Sequence, residues 1–425
     1  MIDSIENAYI EILKEELIPA LGCTEPIAIA YAAAKTRETL GCEPSSMVVR
    51  CSGNIIKNAK AVYVPNTGGL KGIAASAIAG MIAGDSSLEM RVLEYLTDAD
   101  RELVTKLLSS EFCRVEKLET DAGLHLTVEL STASGETALV EIIHTHTNIS
   151  RIEKNGERLF FRDFAGVDYT SALTDRSVLN VGDIYDFART VELESIEGLL
   201  ALQVANNRAI AEEGLRNRHG LNVGNALLEV YGDSLWSRVR AYAAAGSDAR
   251  MNGCSMPVVV NSGSGNQGMT TSLPVIMYAE AKAVDLETLY RALVLSNLIT
   301  IHLKTGIGRL SAYCGAMSAS AGAGCGITFL AGGTLRQIED SITNTLADVS
   351  GIVCDGAKAS CAAKIATGLD AAIIAHHMAM NGRVYESDSG IVKKSIEETV
   401  AAVGRLGRIG MRETDNEVLR IMLAP

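Results

Sequence analysis

Large aromatic rings are scarce in this sequence: one Trp, six Phe and 4% aromatic residues in all, so the core cannot be organised around them. Its apolar volume must come from Ala, Leu, Ile and Val, which 48% hydrophobic residues supply in a chain of 425. Domains of roughly 100–200 residues would give two or three here. Long apolar runs are missing too. The longest candidate, residues 73–83, is rich in Ala and Gly and falls well short of the ~20 residues of a bilayer span. No Lys/Arg-rich block interrupts a net charge of -13, so there is no footprint for a nucleic-acid backbone. The opening MIDSIENAYIEILKEEL alternates acidic and apolar residues, unlike a secretory leader, and the expected location is the cytoplasm. Neither GxGxxG after a strand nor GxxxxGK[ST] occurs, so a strong nucleotide fingerprint is lacking, and no lysine stands out as a pyridoxal phosphate anchor.

What is present divides the chain by character. Residues 3–37 read as helix, from Ile5, Tyr9, Ile12, Leu13 and Leu17 at helical spacing, broken at Pro19 and again at residues 22–26, where GCTEP turns into a second helix. SMVVRCSGNIIKNAKAVYVPNTGG has the short apolar runs and Gly/Asn breaks of strands and tight turns, and a Gly/Ala-rich helix follows from Leu70. Residues 112–162 alternate as strands with turn signals at 121–123, 133–135 and 155–156, an antiparallel meander. After Asp168 the chain is mostly helical, punctuated by the Gly-rich loops NSGSGNQG, CGAMSASAGAGCG and CDGAKASC. The expected fold is α+β: a mainly helical domain from residues 1–40 and 168–425, with a smaller α/β domain containing an antiparallel sheet inserted at 41–167.

Nine cysteines in a cytoplasmic chain are core residues, metal ligands or reactive thiols rather than a disulfide framework. A catalytic iron-sulfur cluster needs thiolates converging from loops, with one iron left open. Cys354 and Cys361 would stand roughly 10 Å apart along a continuous helix, but Asp355 and Gly356 can turn the chain and close the gap; Cys314 lies in another small-residue loop. C-x6-C spacing alone leaves two readings open, ligands or buried apolar thiols. NSGSGNQG offers backbone N–H groups and small polar side chains ahead of a helix, a cradle for a carboxylate, or else an ordinary turn. His144 and His146 alternate on a predicted strand and are read as a solvated face; His376 and His377 diverge by about 100° on a helix and cannot chelate together.

The motifs LGCTEP, SGNIIKN, VPNTGG, NSGSGNQG, AYCGA and IVCDGAKASCAAK resemble, nearly end to end, the L-cysteine desulfidase family, also described as serine dehydratase alpha-like proteins. The resemblance implies a 4Fe-4S cluster on Cys314, Cys354 and Cys361, with Cys325 as the rival for the first ligand, and Cys23 as general base where the related dehydratases carry His. It also supports substrate contacts from Ser262, Ser264, Gly265, Asn266 and Gln267; SGN and NTGG themselves offer Asn54, Asn66 and Thr67 as further hydrogen-bonding groups, and Cys254 is expected as a wall of the site. Some dehydratases end in a cysteine-bearing tail, whereas this sequence ends VLRIMLAP, so three ligands and an open iron are expected. The implied activity is elimination of hydrogen sulfide from L-cysteine to give pyruvate and ammonia. L-serine dehydration by the same chemistry, a non-catalytic thiol or metal sensor, and a cluster-free structural protein are the alternatives. A small amino acid is the expected partner, and a homodimer is compatible with so much Ala- and Gly-rich helix.

Overall fold

The computed structural model describes residues 2–164 and 173–424; the boundary expected at 167–168 lies outside them. The chain starts with α1 (Ile2–Glu16), which buries Tyr9, Ile12 and Leu13, passes through a short strand β1 (Pro19–Leu21), and enters α2 (Thr24–Leu40). Cys23 is the N-cap of α2, in extended conformation. Pro26 fits the first helical turn, where a missing N–H leaves no hydrogen bond unmade.

Next come β2 (Ser46–Cys51), α3 (Gly53–Ala59), α4 (Gly72–Ala83), α5 (Asp98–Leu108) and five strands, β3 (Cys113–Lys117), β4 (His125–Ser131), β5 (Thr137–Ile143), β6 (Ile149–Lys154) and β7 (Glu157–Phe161). They form a six-stranded mixed sheet in the order β3-β2-β4-β5-β6-β7. The expected meander holds from β4 to β7. β2 wedges between β3 and β4, antiparallel to β4 and parallel to β3, so β3 joins by a crossover that local pattern does not encode. SGNIIKN, expected as strand and turn, folds as α3: a short apolar pair bounded by Gly and Asn suits either state, and packing decides. Ala138, Val140 and Ile142 alternate into the core under α2 and α4, while the other face carries a charged ladder in which Arg50 bridges Glu116 and Glu129 at 2.9 Å each. α2, although N-terminal, therefore lies against the sheet.

The remaining helices are α6 (Val181–Thr190), α7 (Glu197–Arg216), α8 (Val223–Tyr231), α9 (Leu235–Met251), then strand β8 (Pro257–Val259), α10 (Gly265–Ala281), α11 (Leu286–Ile307), α12 (Gly315–Leu330), α13 (Leu335–Val349), α14 (Cys361–Met380), α15 (Ile396–Arg405) and α16 (Arg412–Leu423). α12 is the central rod, packed by α10, α11, α13 and α14. Its small side chains let neighbours come close: a Cβ on Gly322 would stand 2.5 Å from the Ser296 carbonyl on α11. Tight Ala/Gly packing replaces the missing aromatic volume. The lone Trp236, on α9, meets His377 of α14 edge to face at 4.8 Å.

A strand pair and an ion pair are among the contacts that join the parts of the chain. β1 pairs antiparallel with β8, tethering the segment that leads to Cys23, and α16 docks on α3 through a Lys57–Asp415 ion pair in which Lys57 is buried. Between them lies a cleft of ≈ 690 Å³ bounded by residues 117–124, 307–312 and α16. No helix among the described residues is long and apolar enough to cross a membrane.

Candidate active site

Four helices point their N-termini at one small cavity of ≈ 100 Å³: α2 with Cys23, α10 with Ser264, α12 with Cys314 and α14 with Cys361. Unpaired N–H groups there carry partial positive charge, so the cavity favours anions before any side chain is counted.

Cys314 and Cys354 are aligned by a two-residue antiparallel bridge: Cys314 N donates to Ile352 O at 3.1 Å and Cys354 N to Ala312 O at 2.7 Å, flanking Tyr313 and Val353. Cys361 then begins α14, so no helix separates it from Cys354. The chain bends and turns at residues 357–360, just past the expected Asp355 and Gly356. Burial would raise the Asp355 carboxyl, but Lys358 and Lys364 hold it down at about 2, and this ionised side chain anchors both lysines across the loop. Gly356 has φ +94, and a Cβ there would sit 2.3 Å from the Lys57 carbonyl. Gly356→Ala should therefore lower Tm, at a cost of at least about 1–2 kcal/mol from backbone conformation alone. Because the turn sets the Cys354–Cys361 spacing, iron retention after anaerobic reconstitution should fall with it.

The three thiols are close enough that ionising one opposes ionising the next. Burial pushes Cys314 up to about 12. Among the described residues no three His, Cys, Asp or Glu side chains are placed to share a single metal ion. Cys325 lies mid-α12, fully buried and about 16 Å along the axis from Cys314, outside the cavity lining. Cys254, beyond the end of α9, does not line the cavity either.

Cys23 faces the same space, packed with Val62 and Met251 in a small cluster that Cys361 adjoins. Burial pushes its thiol up to about 12, against the pull of Arg250. Without a ligand, burial thus favours the neutral thiol of Cys23. Desolvation outweighs the local cation.

NSGSGNQG is a tight hairpin turn. Asn261 and Ser264 exchange backbone hydrogen bonds at 3.1 and 3.0 Å, and Ser262 and Gly263 both have positive φ, as a type I′ turn requires. Buried Asn297 anchors it, accepting from Asn261 Nδ2 at 3.0 Å. Ser264 caps α10, and Ser262, Asn266 and Gln267 line the cavity. Gly265 does not line it but faces Arg250, whose Nε would lie 2.4 Å from a Cβ there. Asn54 opens instead onto the larger cleft. Asn66 donates to Leu93 O at 2.9 Å, and buried Thr67 donates to Val64 O at 2.8 Å; neither reaches the cavity.

Several lining groups were not singled out as site residues from the sequence: Arg250, Lys304 and Arg309, which lie in no motif, Glu25 and Lys364, which lie inside quoted ones, and His146. Four cations face one carboxylate. Burial pushes Lys304 down to about 8. His146, expected on a solvated strand, is buried in the turn after β5, which ends at Ile143. Alternation past Ile143 misled the reading, since His144 already has φ 70. Five atoms of lining residues are buried without a hydrogen-bond partner: His146 Nε2, Arg250 Nε, Asn266 Oδ1, Gln267 Oε1 and the Tyr313 hydroxyl. Each such group costs roughly 1–3 kcal/mol, so the set fits a ligand with both donors and acceptors.

The α+β fold thus brings four cysteines, helix N-termini and cations to one pocket. Residues 87–420 match the family model described as serine dehydratase alpha chain, and the chain belongs to that family. It is similar to UPF0597 proteins from Lachnoclostridium phytofermentans, 53% identical over 97% of this chain and 99% of the relative, and from Treponema denticola, 47% identical over 99% and 98%. Another, from Desulfitobacterium hafniense, is 49% identical over 99% and 97%.

Proposed function

We propose that this protein is an iron-sulfur-dependent lyase that converts L-cysteine and water to pyruvate, ammonia and hydrogen sulfide. One observation carries the reading: Cys314, Cys354, Cys361 and Cys23 line a single cavity that also holds unpartnered polar groups. Three thiols in one lining suit a multi-iron cluster, in which each thiolate has its own iron, better than a single zinc, whose closed tetrahedral shell takes four ligands. Helix N-termini and Lys364 favour the negative charge of ligating thiolates. A bound cluster with one open iron would supply Lewis acidity for loss of the leaving group.

The remaining work falls to side chains. Asn266 Oδ1 and Gln267 Oε1 are acceptors suited to the substrate ammonium group, and the cations to its carboxylate. Cys23 takes the α-proton. An ammonium group beside Cys23 adds to the pull of Arg250, which alone does not overcome burial, and so favours loss of a proton from its thiol. Elimination leaves aminoacrylate, which tautomerises to an imine and hydrolyses in water.

L-serine dehydration is the second reading, favoured by the family match. Hydroxide is a much poorer leaving group than hydrosulfide, so cysteine should react faster in the anaerobically reconstituted protein. Faster turnover of serine under matched conditions would reverse that order. Iron and acid-labile sulfide should both be found; zinc without sulfide would sink the cluster.

A further inference from the structure

We infer that His146 is a substrate-contacting residue, which the turn between β5 and β6 delivers into the thiol-lined cavity to hydrogen-bond the substrate carboxylate beside Arg250 and Arg309. The inference rests on the amino-acid reading above and adds a contact from the turn after β5 to a site otherwise lined by helix ends and the loops beside them.

The turn is rigid. Ile143 N donates to Asn148 O at 3.1 Å, and the Asn148 side chain donates back to Ile143 O at 2.9 Å. The imidazole it presents lines the cavity, is 8% exposed, and has its Nε2 buried without a partner. A buried, unpaired ring nitrogen in a firmly held turn is a cost that a bound ligand can relieve.

The surroundings say which end of the ligand belongs here. Gly263 has φ +76, and a Cβ on it would lie 3.0 Å from Arg309 Nη1 and 3.1 Å from His146 Cε1, so both side chains press on the same turn. The Gly263 carbonyl is held from the other side by Thr24 Oγ1 at 2.9 Å, next to Cys23. Arg250 Nε is a second buried group without a partner. Burial, then the charges of Arg309 and Arg250, push His146 down to about 3, leaving a neutral ring with an N–H to donate. Arg309 already pairs with Glu16 at 2.7 Å, whereas Arg250 keeps a donor without a partner, and its guanidinium repels an ammonium group and attracts a carboxylate. The carboxylate therefore faces His146, and the ammonium group faces the carbonyls of Asn266 and Gln267.

L-alanine, which carries both charged groups but no leaving group, is the probe. Calorimetry of the whole reconstituted protein should show L-alanine binding about tenfold more weakly to His146→Phe than to wild type, the loss expected for one hydrogen bond to a charged group. His146→Gln, which keeps an N–H, should recover most of the affinity. KM for L-cysteine should rise in parallel while iron content stays at the wild-type level. His146→Ala gives the same comparison if the Phe variant does not fold. Unchanged L-alanine affinity in a folded, iron-replete variant would overturn the inference, as would absence of L-alanine binding by wild type. Failure of the lyase reading would show separately, as missing iron and sulfide or missing turnover with L-alanine still bound through His146.

Discussion

Replacing Cys361 with alanine should strip the protein of most of its iron and slow cysteine elimination by on the order of 10³-fold or more, since the Lewis acid goes with the ligand. The fold should survive. Cys361 is only partly buried, at the first residue of α14, and the bridge that sets Cys314 beside Cys354 does not depend on it. Cys325→Ala is the matched control with the opposite pattern. Its sulfur is fully buried in α12, so truncation leaves a void and lowers Tm by a few degrees while iron and turnover remain. Wild-type iron and activity in Cys361→Ala would remove the cluster from the proposal.

The second large effect is expected at Cys23. Cys23→Ala should lower kcat by about 10²–10⁴, the range for loss of a general base, with iron content and KM nearly unchanged. Exchange of the substrate α-hydrogen with deuterated water separates the roles. It should vanish in Cys23→Ala and persist in variants that merely weaken binding. Retained exchange would assign proton removal to another group, with Glu25, also buried in the cavity wall, next in line.

How much of this was legible in the sequence depends on how local each feature is. The entry into α2 at Cys23 and the four-strand meander follow from residue types within a few positions, and they appear where expected. The placement of β2 between β3 and β4 does not, because strand order is set by pairing across the fold. The same holds for the charged wall. Arg250 ends α9, Lys304 lies near the end of α11 and Arg309 follows it, so no spacing rule links them, and only packing shows that they face one space. Asn66 and Thr67 were attractive as polar groups in a glycine-rich stretch, but their side chains are spent on the backbone of their own neighbourhood. His146 was misjudged for a simple reason. Two-residue alternation continues in the sequence past the point where the strand stops.

The scarcity of aromatic residues gives the protein a built-in optical reporter. Trp236 is its single indole, and it rests against His377 on the helix whose first residue is Cys361, sixteen positions and about 24 Å away along the axis. An iron-sulfur chromophore absorbs broadly where tryptophan emits. Its assembly at the far end of α14 should quench one well-defined fluorophore, and its oxidative loss should restore the signal, so cluster lifetime can be followed in real time by the emission of a single residue.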